Sequence, residues 1–231
     1  MVKKQFISVI LARGGSKGIP MKNLTLVNGK PLIYWTIAAS LASKYIFETF
    51  VSSDSDDIIS YAKSQKVKTI KRPGELAQDT TTSAESLVHA IDKILENYEP
   101  DYIVLLQPTS PLRTSNNIDE SCFKILEEKT NCLISVCKVD NKYLKILFES
   151  ENGFLTEFNN GNFTFKDRQS LPKTYLPNGS IYIVKLENFI KTKRFLDDFT
   201  SKYLMTKKSS LDIDNFSDII KANKEIKNLK M

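Results

Sequence analysis

The fold is decided at residues 6–18, which read FISVILARGGSKG. Phe6 to Ala12 form a short apolar run that stops at a glycine-rich turn. A continuous apolar run of this length, bounded by a turn, is typical of a β-strand buried on both faces. We therefore predict a buried strand whose carboxyl end leads straight into the loop 13–18.

Short apolar runs and stretches of helical periodicity alternate along the rest of the chain. The predicted strands are residues 49–53, 67–70, 102–106, 133–136 and 179–184. The predicted helices are residues 31–43, 56–64, 82–97 and 116–128, with one more after residue 184 and one after residue 214. This alternation predicts an α/β fold, a three-layer, Rossmann-like and mostly parallel sheet covered by helices on both faces. Ligands of such sheets bind where strands end, so we expect a site in the loops 13–23, 53–54, 72–83 and 107–113.

The alternation breaks between residues 140 and 175, where aromatic residues mix with Gly and Asn without a helical period. We predict an insertion of short strands that packs against a partner subunit, because exposed aromatic side chains are otherwise a liability. The predicted organisation is one main domain, residues 1–139 and 176–231, and a dimerisation insertion, residues 140–175. The expected assembly is a homodimer.

The net charge of +6 is unevenly distributed over the 231 residues. Residues 1–50 carry +6, residues 51–150 carry −4 and residues 151–231 carry +4. The first excess coincides with the glycine-rich loop, which favours polyanion binding at one site over the basic stripe of a nucleic-acid binder. Because no apolar stretch is long enough for a bilayer span or a signal-peptide core, we expect a cytoplasmic protein without nucleic-acid or membrane partners.

The loop 13–18 has the composition of a phosphate-binding loop. Adjacent glycines, Gly14 and Gly15, let backbone N–H groups turn toward an anion. Arg13 and Lys17 add fixed positive charge for a polyphosphate. The spacing matches neither the Walker loop nor the dinucleotide GxGxxG motif, so the alternative is a tight surface turn with two solvated cations.

Two carboxylates, Asp212 and Asp214, lie two residues apart in a segment that reads as extended. In an extended segment such side chains point the same way. Two like charges on one face are costly unless a cation neutralises them, and hard oxygen ligands suit Mg²⁺. The alternative is that Asp214 caps the following helix while Asp212 is merely exposed.

A third candidate follows the predicted strand 102–106, where two prolines stiffen the loop. We expect this loop to present polar side chains that orient a polyol, namely Gln107, Thr109, Ser110 and Arg113. The alternative is a proline-rich turn without a ligand, in which Arg113 binds only a helix carbonyl.

Nucleophilic catalysis by the protein is disfavoured. His89, the single histidine, falls inside a predicted helix, and the cysteines are scattered without CxxC spacing, at Cys122, Cys132 and Cys137. We interpret all four as structural residues of a reduced protein, which argues against Ser-His-Asp or Cys-His catalysis. A reaction that needs only positioning, a metal and charge neutralisation, such as nucleotidyl transfer, fits this composition.

Six ordered blocks run through nearly the whole chain. They are residues 12–20 with Lys22 and Asn23, residues 72–73 with 76–79, and residues 106–113, 168–172, 177–182 and 210–214. Together these blocks resemble the bacterial CMP-sialic acid synthetases, also called N-acylneuraminate cytidylyltransferases. The resemblance implies a fold of the nucleotidyltransferase type and a homodimer. It also implies that CTP and a nonulosonic acid react, with Mg²⁺, to give the CMP-sugar and pyrophosphate.

The resemblance further implies roles for single residues. The triphosphate would be held by Arg13 and Lys17, on a loop formed by Ala12, Gly14, Gly15 and Ser16. The cytidine would contact Asn23, Arg72 and Ser83. The sugar pocket would be lined by Gln107 and Tyr182, and completed by Lys145 and Arg168 of the neighbouring subunit. Asp212 and Asp214 would bind the metal, and Asp212 or a water would take the proton of the attacking anomeric hydroxyl.

One position departs from the family pattern. Leu176 stands just before the Pro-Asn-Gly block, where some members carry a basic residue that helps to hold the sugar carboxylate. N-acetylneuraminate is the expected acceptor, and legionaminic or pseudaminic acid stays open as an alternative. A non-catalytic sugar-nucleotide-binding module is a further alternative, against which the paired aspartates and the cationic loop argue.

Overall fold

The computed structural model describes residues 4–16, 18–157 and 162–229. Within them the strands are β1 (Phe6–Leu11), β2 (Leu26–Val27), β3 (Lys30–Pro31), β4 (Ile46–Ser53), β5 (Lys68–Lys71), β6 (Tyr102–Leu106), β7 (Cys132–Val139), β8 (Leu147–Glu149), β9 (Leu155–Glu157), β10 (Thr174–Lys185) and β11 (Ser201–Leu204). The helices are α1 (Leu32–Leu41), α2 (Asp56–Ser64), α3 (Ser83–Leu95), α4 (Ser115–Glu128), α5 (Leu186–Thr192) and α6 (Phe216–Leu229).

A seven-stranded sheet forms the centre, in the order β11-β7-β10-β6-β1-β4-β5. β1 pairs in parallel with β4 and β6, and β4 pairs in parallel with β5. β10 runs antiparallel to both of its neighbours, β6 and β7. The predicted mostly parallel α/β sheet is confirmed. The sequence pattern missed β11, because only the first of its four residues is buried and no apolar run marks it.

Alternate residues of the central strands enter two different cores. Val104 and Leu106 of β6 pack with α1, α2 and α4, whereas Ile103 and Leu105 pack with α3 and α5. This alternation follows from the two-residue period of a strand, and it makes continuous apolar runs necessary in strands that helices cover on both faces. A third, smaller core joins α6 to the loops beside β1, through residues such as Ile213 and Ile219.

The helices begin at side chains that the sequence makes suitable for capping. Thr82 and Glu85 form a reciprocal capping box at the start of α3, and Ser55 accepts the amide N–H of Ile58 at the start of α2. Such caps satisfy backbone donors that have no partner within the helix. The Thr82–Glu85 capping box fixes the amino end of α3, to which the loop after β5 connects.

The stretch 140–175 contains the two-stranded sheet β8-β9 and several exposed apolar side chains, among them Phe148, Phe154, Leu155 and Phe165. Its role in dimerisation stays a prediction. Within the described residues, no helix has both the length and the apolar character that a membrane span requires.

Candidate active site

A cleft of about 330 Å³ opens at the carboxyl ends of β1, β5 and β6. It is lined by residues of three predicted ligand loops, including Arg13, Gly15, Ser16, Arg72, Ser83, Gln107 and Thr109. The fourth predicted loop, after β4, lies behind the wall of the cleft. Its Asp54 accepts the backbone N–H of Gly14 at 3.0 Å and lies 3.9 Å from the guanidinium of Arg72.

The glycine-rich loop is held in place from behind. Asn23, which is buried, donates its side-chain amide to the carbonyl of Arg13 at 2.9 Å. A Cβ on Gly14 would lie 3.0 Å from that of Ser55, whereas one on Gly15 would meet no atom within 4 Å. The backbone N–H of Gly14 is already bound by Asp54, whereas Gly15 and Ser16 line the cleft.

Positive charge converges on the cleft from separate elements. Arg13 is half-exposed and forms an ion pair of 2.8 Å with Asp79. Arg72 is buried, and burial lowers its pKa, an effect that the carboxylate of Asp54 partly offsets. Lys17 lies outside the described residues. These cations suit a polyanion, because Arg13 and Arg72 line the same cleft.

Lys22 lines the cleft, although the sequence pattern predicts no role for it. Its ammonium group donates to the carbonyl of Ile213 at 2.7 Å and to Asp214 Oδ1 at 3.3 Å. It therefore joins the glycine-rich loop to the segment that carries the paired aspartates. The sequence signal for such a role is its place four residues after Gly18, next to Asn23 and close to the glycine-rich loop.

The paired aspartates lie on a segment without regular secondary structure that packs against this loop. A Cβ on Gly18 would lie 2.6 Å from the backbone oxygen of Asp214, so only glycine allows the approach. Asp214 is exposed, whereas Asp212 is half-buried and its Oδ1 has no hydrogen-bond partner within the described chain. Burial raises the pKa of Asp212, and the charge of Asp214 adds to this, while a hydrogen bond with Thr109 opposes it.

The alternative in which Asp214 caps α6 is wrong. Asn215 occupies the cap position, accepts the backbone N–H of Asp218 at 3.2 Å, and donates its own N–H to that carboxylate at 3.2 Å. The Asp214 carboxylate instead accepts a hydrogen bond from Lys22, a residue of the cleft lining. Magnesium is commonly held by one or two protein carboxylates together with substrate phosphates, which suits this pair. No cluster of three acidic, histidine or cysteine ligands occurs in the described residues.

A second cavity, of about 370 Å³, adjoins the first. Its lining is Gln107, Cys137, Leu176, Pro177, Asn178, Gly179, Tyr182, Ser210 and Asp212. Gln107 lines both spaces, so the cleft and the cavity meet at that side chain. The predicted sugar-pocket residues Gln107 and Tyr182 are therefore brought together, beside the half-buried Asp212.

The buried side chain of Asn178 connects three segments beside this cavity. It accepts the hydroxyl of Ser135 at 2.6 Å and the backbone N–H of Ser180 at 3.2 Å, and it donates to Ser210 Oγ at 2.8 Å. One buried amide thus joins β7, the irregular part of β10 and the segment that leads to Asp212.

Other predicted residues lie elsewhere. Ala12 is fully buried under the cleft, and His89 on α3 lines neither space. The expectation that Ser110 and Arg113 face a ligand is wrong, because both are buried and Arg113 donates to two main-chain carbonyls. Arg168 is exposed and paired with Asp140 at 2.8 Å, and like Lys145 it lines neither space of its own chain.

Comparison with known proteins identifies a family and several relatives. The cytidylyltransferase family model matches residues 7–227. An N-acylneuraminate cytidylyltransferase of Escherichia coli is 36% identical over 219 residues, which cover 94% of this chain and 51% of that protein. The chain thus spans about half the length of that relative.

Two further comparisons concern length and fold. The pseudaminic acid cytidylyltransferase of Campylobacter jejuni is 26% identical over 215 residues, 92% of either chain. A solved structure of a CMP:2-keto-3-deoxy-manno-octonic acid synthetase complexed with CTP matches with a TM-score of 0.74 at 14% identity. That match covers 98% of this chain and 100% of the other. At such low identity the likeness concerns the fold alone, and it agrees with the α/β architecture derived from the strand pattern.

Proposed function

The chain belongs to the cytidylyltransferase family, and from that premise we propose that it transfers CMP from CTP to the anomeric hydroxyl of a nonulosonic acid, releasing pyrophosphate. One observation carries the proposal. A cation-lined cleft and a second cavity meet at Gln107, with Asp212 at the cavity and Asp214 held beside the cleft by Lys22. Two adjoining sites of this kind fit a reaction between two separate substrates.

The cleft is the CTP site in this proposal. Arg13 and Lys17 neutralise the triphosphate, and Lys22 adds a cation at the end nearer the aspartates. Asn23, Arg72 and Ser83 surround the cytidine, with Ser83 at the amino end of α3, where the helix offers partial positive charge. This arrangement leaves the α-phosphate toward Gln107 and the second cavity.

The cavity receives the acceptor, oriented by Gln107 and Tyr182. A bond forms between the anomeric oxygen and the α-phosphorus, and the bond from that phosphorus to the bridging oxygen breaks, releasing pyrophosphate. Asp212, which lines this cavity, accepts the proton directly or through a water. Asp212 and Asp214 would also hold Mg²⁺, which offsets negative charge on the phosphates when bound.

N-acetylneuraminate is the first candidate acceptor, in line with the relative from Escherichia coli. A second candidate, legionaminic or pseudaminic acid, is favoured by Leu176 and Cys137, which give one side of the cavity an apolar surface. These acids carry more deoxy and acylamino groups than N-acetylneuraminate, and such groups suit apolar surroundings. The reaction is the same in either case.

Pyrophosphate release separates these possibilities. CTP, ATP, GTP and UTP are each tested with N-acetylneuraminic, legionaminic and pseudaminic acid, with Mg²⁺ and with EDTA. The proposal expects metal-dependent release with CTP and at least one acid. Release that is independent of the acid, or absent with CTP for all three acids, would refute it.

The assembly follows from the same reasoning. We infer a cytoplasmic homodimer in which residues 140–175 contact the partner and bring Lys145 and Arg168 to its acceptor cavity. The exposed aromatic side chains of this stretch and the outward position of Arg168 support the inference.

A further inference from the structure

Strands β6 and β10 separate where the cleft and the cavity meet. The last residue pair of their antiparallel ladder is Leu106 with Ile181. One residue further, Gln107 enters the loop that lines both spaces. On the other strand, Ser180 is the last residue of an irregular segment of β10, which we call the β10 bulge (residues 177–180). Residues 177–179 of this bulge line the cavity.

One buried side chain spans the separation. Nη1 of Arg113 donates to the carbonyl of Gln107 at 3.1 Å and to the carbonyl of Ser180 at 3.0 Å. Arg113 is 3% exposed, and within the described chain no charged group offsets its burial, which lowers its pKa to about 9. Its Nε and Nη2 have no partner among the described residues. A buried cation in such surroundings is costly, so packing alone is a poor reason for an arginine at this position.

The β10 bulge lies directly against the Gln107 side chain. Gly179 has a φ of +74°, and a Cβ at this position would lie 3.0 Å from Gln107 Oε1. Ser180 directly follows Gly179, so the hydrogen bond from Arg113 to the carbonyl of Ser180 holds the bulge close to Gln107. Arg113 therefore binds the main chain of Gln107. It also binds the backbone of the bulge that contacts the Gln107 side chain.

We propose that Arg113 is a positioning residue that fixes β6 against the β10 bulge and thereby aligns Gln107 between the nucleotide cleft and the acceptor cavity. Arg113 itself lines neither space, so it acts through Gln107 and not by contact with a substrate. The kinetic consequences of this role rest on the proposed function. The two hydrogen bonds from Arg113 to the carbonyls of Gln107 and Ser180, which we call the clamp, are a property of the fold. These two parts can be tested separately.

The kinetic test compares Arg113→Met, Arg113→Lys and a control, Val67→Ala. Val67 is buried just before β5, which β4, β1 and β6 separate from β10, and it lines neither space, so its substitution weakens the core away from the two carbonyls that Arg113 binds. Arg113→Met is expected to lower kcat about 100-fold and to raise the KM of the acceptor more than that of CTP, since small misalignments of reacting groups have such effects. Arg113→Lys is expected to retain kcat within about tenfold, because one ammonium nitrogen can donate to both carbonyls as Nη1 does.

The structural test is hydrogen–deuterium exchange of the amides of residues 178–182, which needs no turnover. Arg113→Met is expected to speed exchange there relative to Val67→Ala. Unchanged exchange, or a folded Arg113→Met enzyme whose kcat and acceptor KM stay within about twofold of the control, overturns the positioning role. If the unsubstituted enzyme turns over no acceptor, the proposed function fails and the exchange result alone decides the clamp.

Discussion

The carboxylate of Asp212 is half-buried, and its Oδ1 has no hydrogen-bond partner within the described residues. Burial raises its pKa, so the folded chain disfavours the ionised form that a metal or a proton transfer requires. A cation beside it would relieve that cost. Such an arrangement is characteristic of a functional carboxylate and not of one that stabilises the fold.

Asp212→Asn is expected to lower kcat by about 100-fold, because it removes charge at the point where the phosphate reacts. Pyrophosphate release measured at saturating CTP checks this. Asp198→Asn serves as the control, since Asp198 is exposed and lines neither cavity. An Asp212→Asn enzyme with an unaltered rate would exclude Asp212 from the reaction.

The same substitution is expected to stabilise the metal-free protein. A carboxyl group whose pKa is raised in the folded state destabilises the fold above that pKa, because the ionised form is disfavoured there. Asp212→Asn removes this penalty, so its melting temperature at pH 7.5 in EDTA should exceed that of the unsubstituted chain by roughly 2 °C or more.

The gain should shrink as the pH falls through the raised pKa of Asp212, where the carboxyl group of the unsubstituted chain becomes neutral as well. A melting temperature that is lower in the variant at pH 7.5 would show that Asp212 stabilises the fold.

At the scale of elements, the loop after β1 and the aspartate segment form one unit. Gly18 packs on the backbone of Asp214, and Lys22 donates to Ile213 and Asp214 across the same contact. The sequence predicted both segments but not their contact, because nearly 200 residues separate them. Contacts between distant loops depend on the strand order, which local patterns do not determine.

Gly18→Ala is expected to lower kcat/KM for CTP about 100-fold, since its Cβ would lie 2.6 Å from a backbone oxygen and must displace one of the two segments. Gly74→Ala is the matched control, because a Cβ there meets no atom within 4 Å. Steady-state kinetics with CTP varied compares the two variants. Equal activity of the two alanine variants would mean that the contact is irrelevant to catalysis.

The strand pattern predicted most of the sheet but not the environment of β10. Apolar runs such as Phe6–Leu11 are explicit in the sequence, whereas the antiparallel direction of β10 depends on long connections that carry no local signal. The same holds for Arg113. Its position in a loop with two prolines suggested exposure, and only the packing of β6 against β10 shows that it is buried.

At the scale of the whole molecule, the sequence resemblance has a confirmed part and a predicted part. The family and the fold are confirmed, and the structure gathers Arg13, Arg72 and Gln107 around one cleft. The acceptor, the metal and the dimer stay predictions, because they depend on groups that a single chain does not contain. Lys145 and Arg168 illustrate the last case, since neither lines the cleft or the acceptor cavity of its own chain.

The dimer prediction is tested by complementation between two inactive variants. Arg168→Ala lacks the group supplied to the partner, and Asp212→Asn lacks the group used in its own site. In a mixed dimer, one of the two sites regains both groups, so mixing and re-equilibrating the variants should restore about a quarter of the unsubstituted rate. Homodimers of each variant alone should stay inactive. If sedimentation shows a monomer, or if mixing restores no activity, the shared site is refuted.

The central claim is that a cytidine monophosphate unit moves from the cleft to an acidic sugar in the adjoining cavity. Mass spectrometry of the products formed from CTP, Mg²⁺ and N-acetylneuraminic, legionaminic or pseudaminic acid tests it most directly. We predict a sugar linked through a single phosphate to cytidine, formed in equal amount with pyrophosphate. Free CMP alone, a diphosphate-linked sugar, or no cytidine-linked product with any of the three acids would contradict the claim.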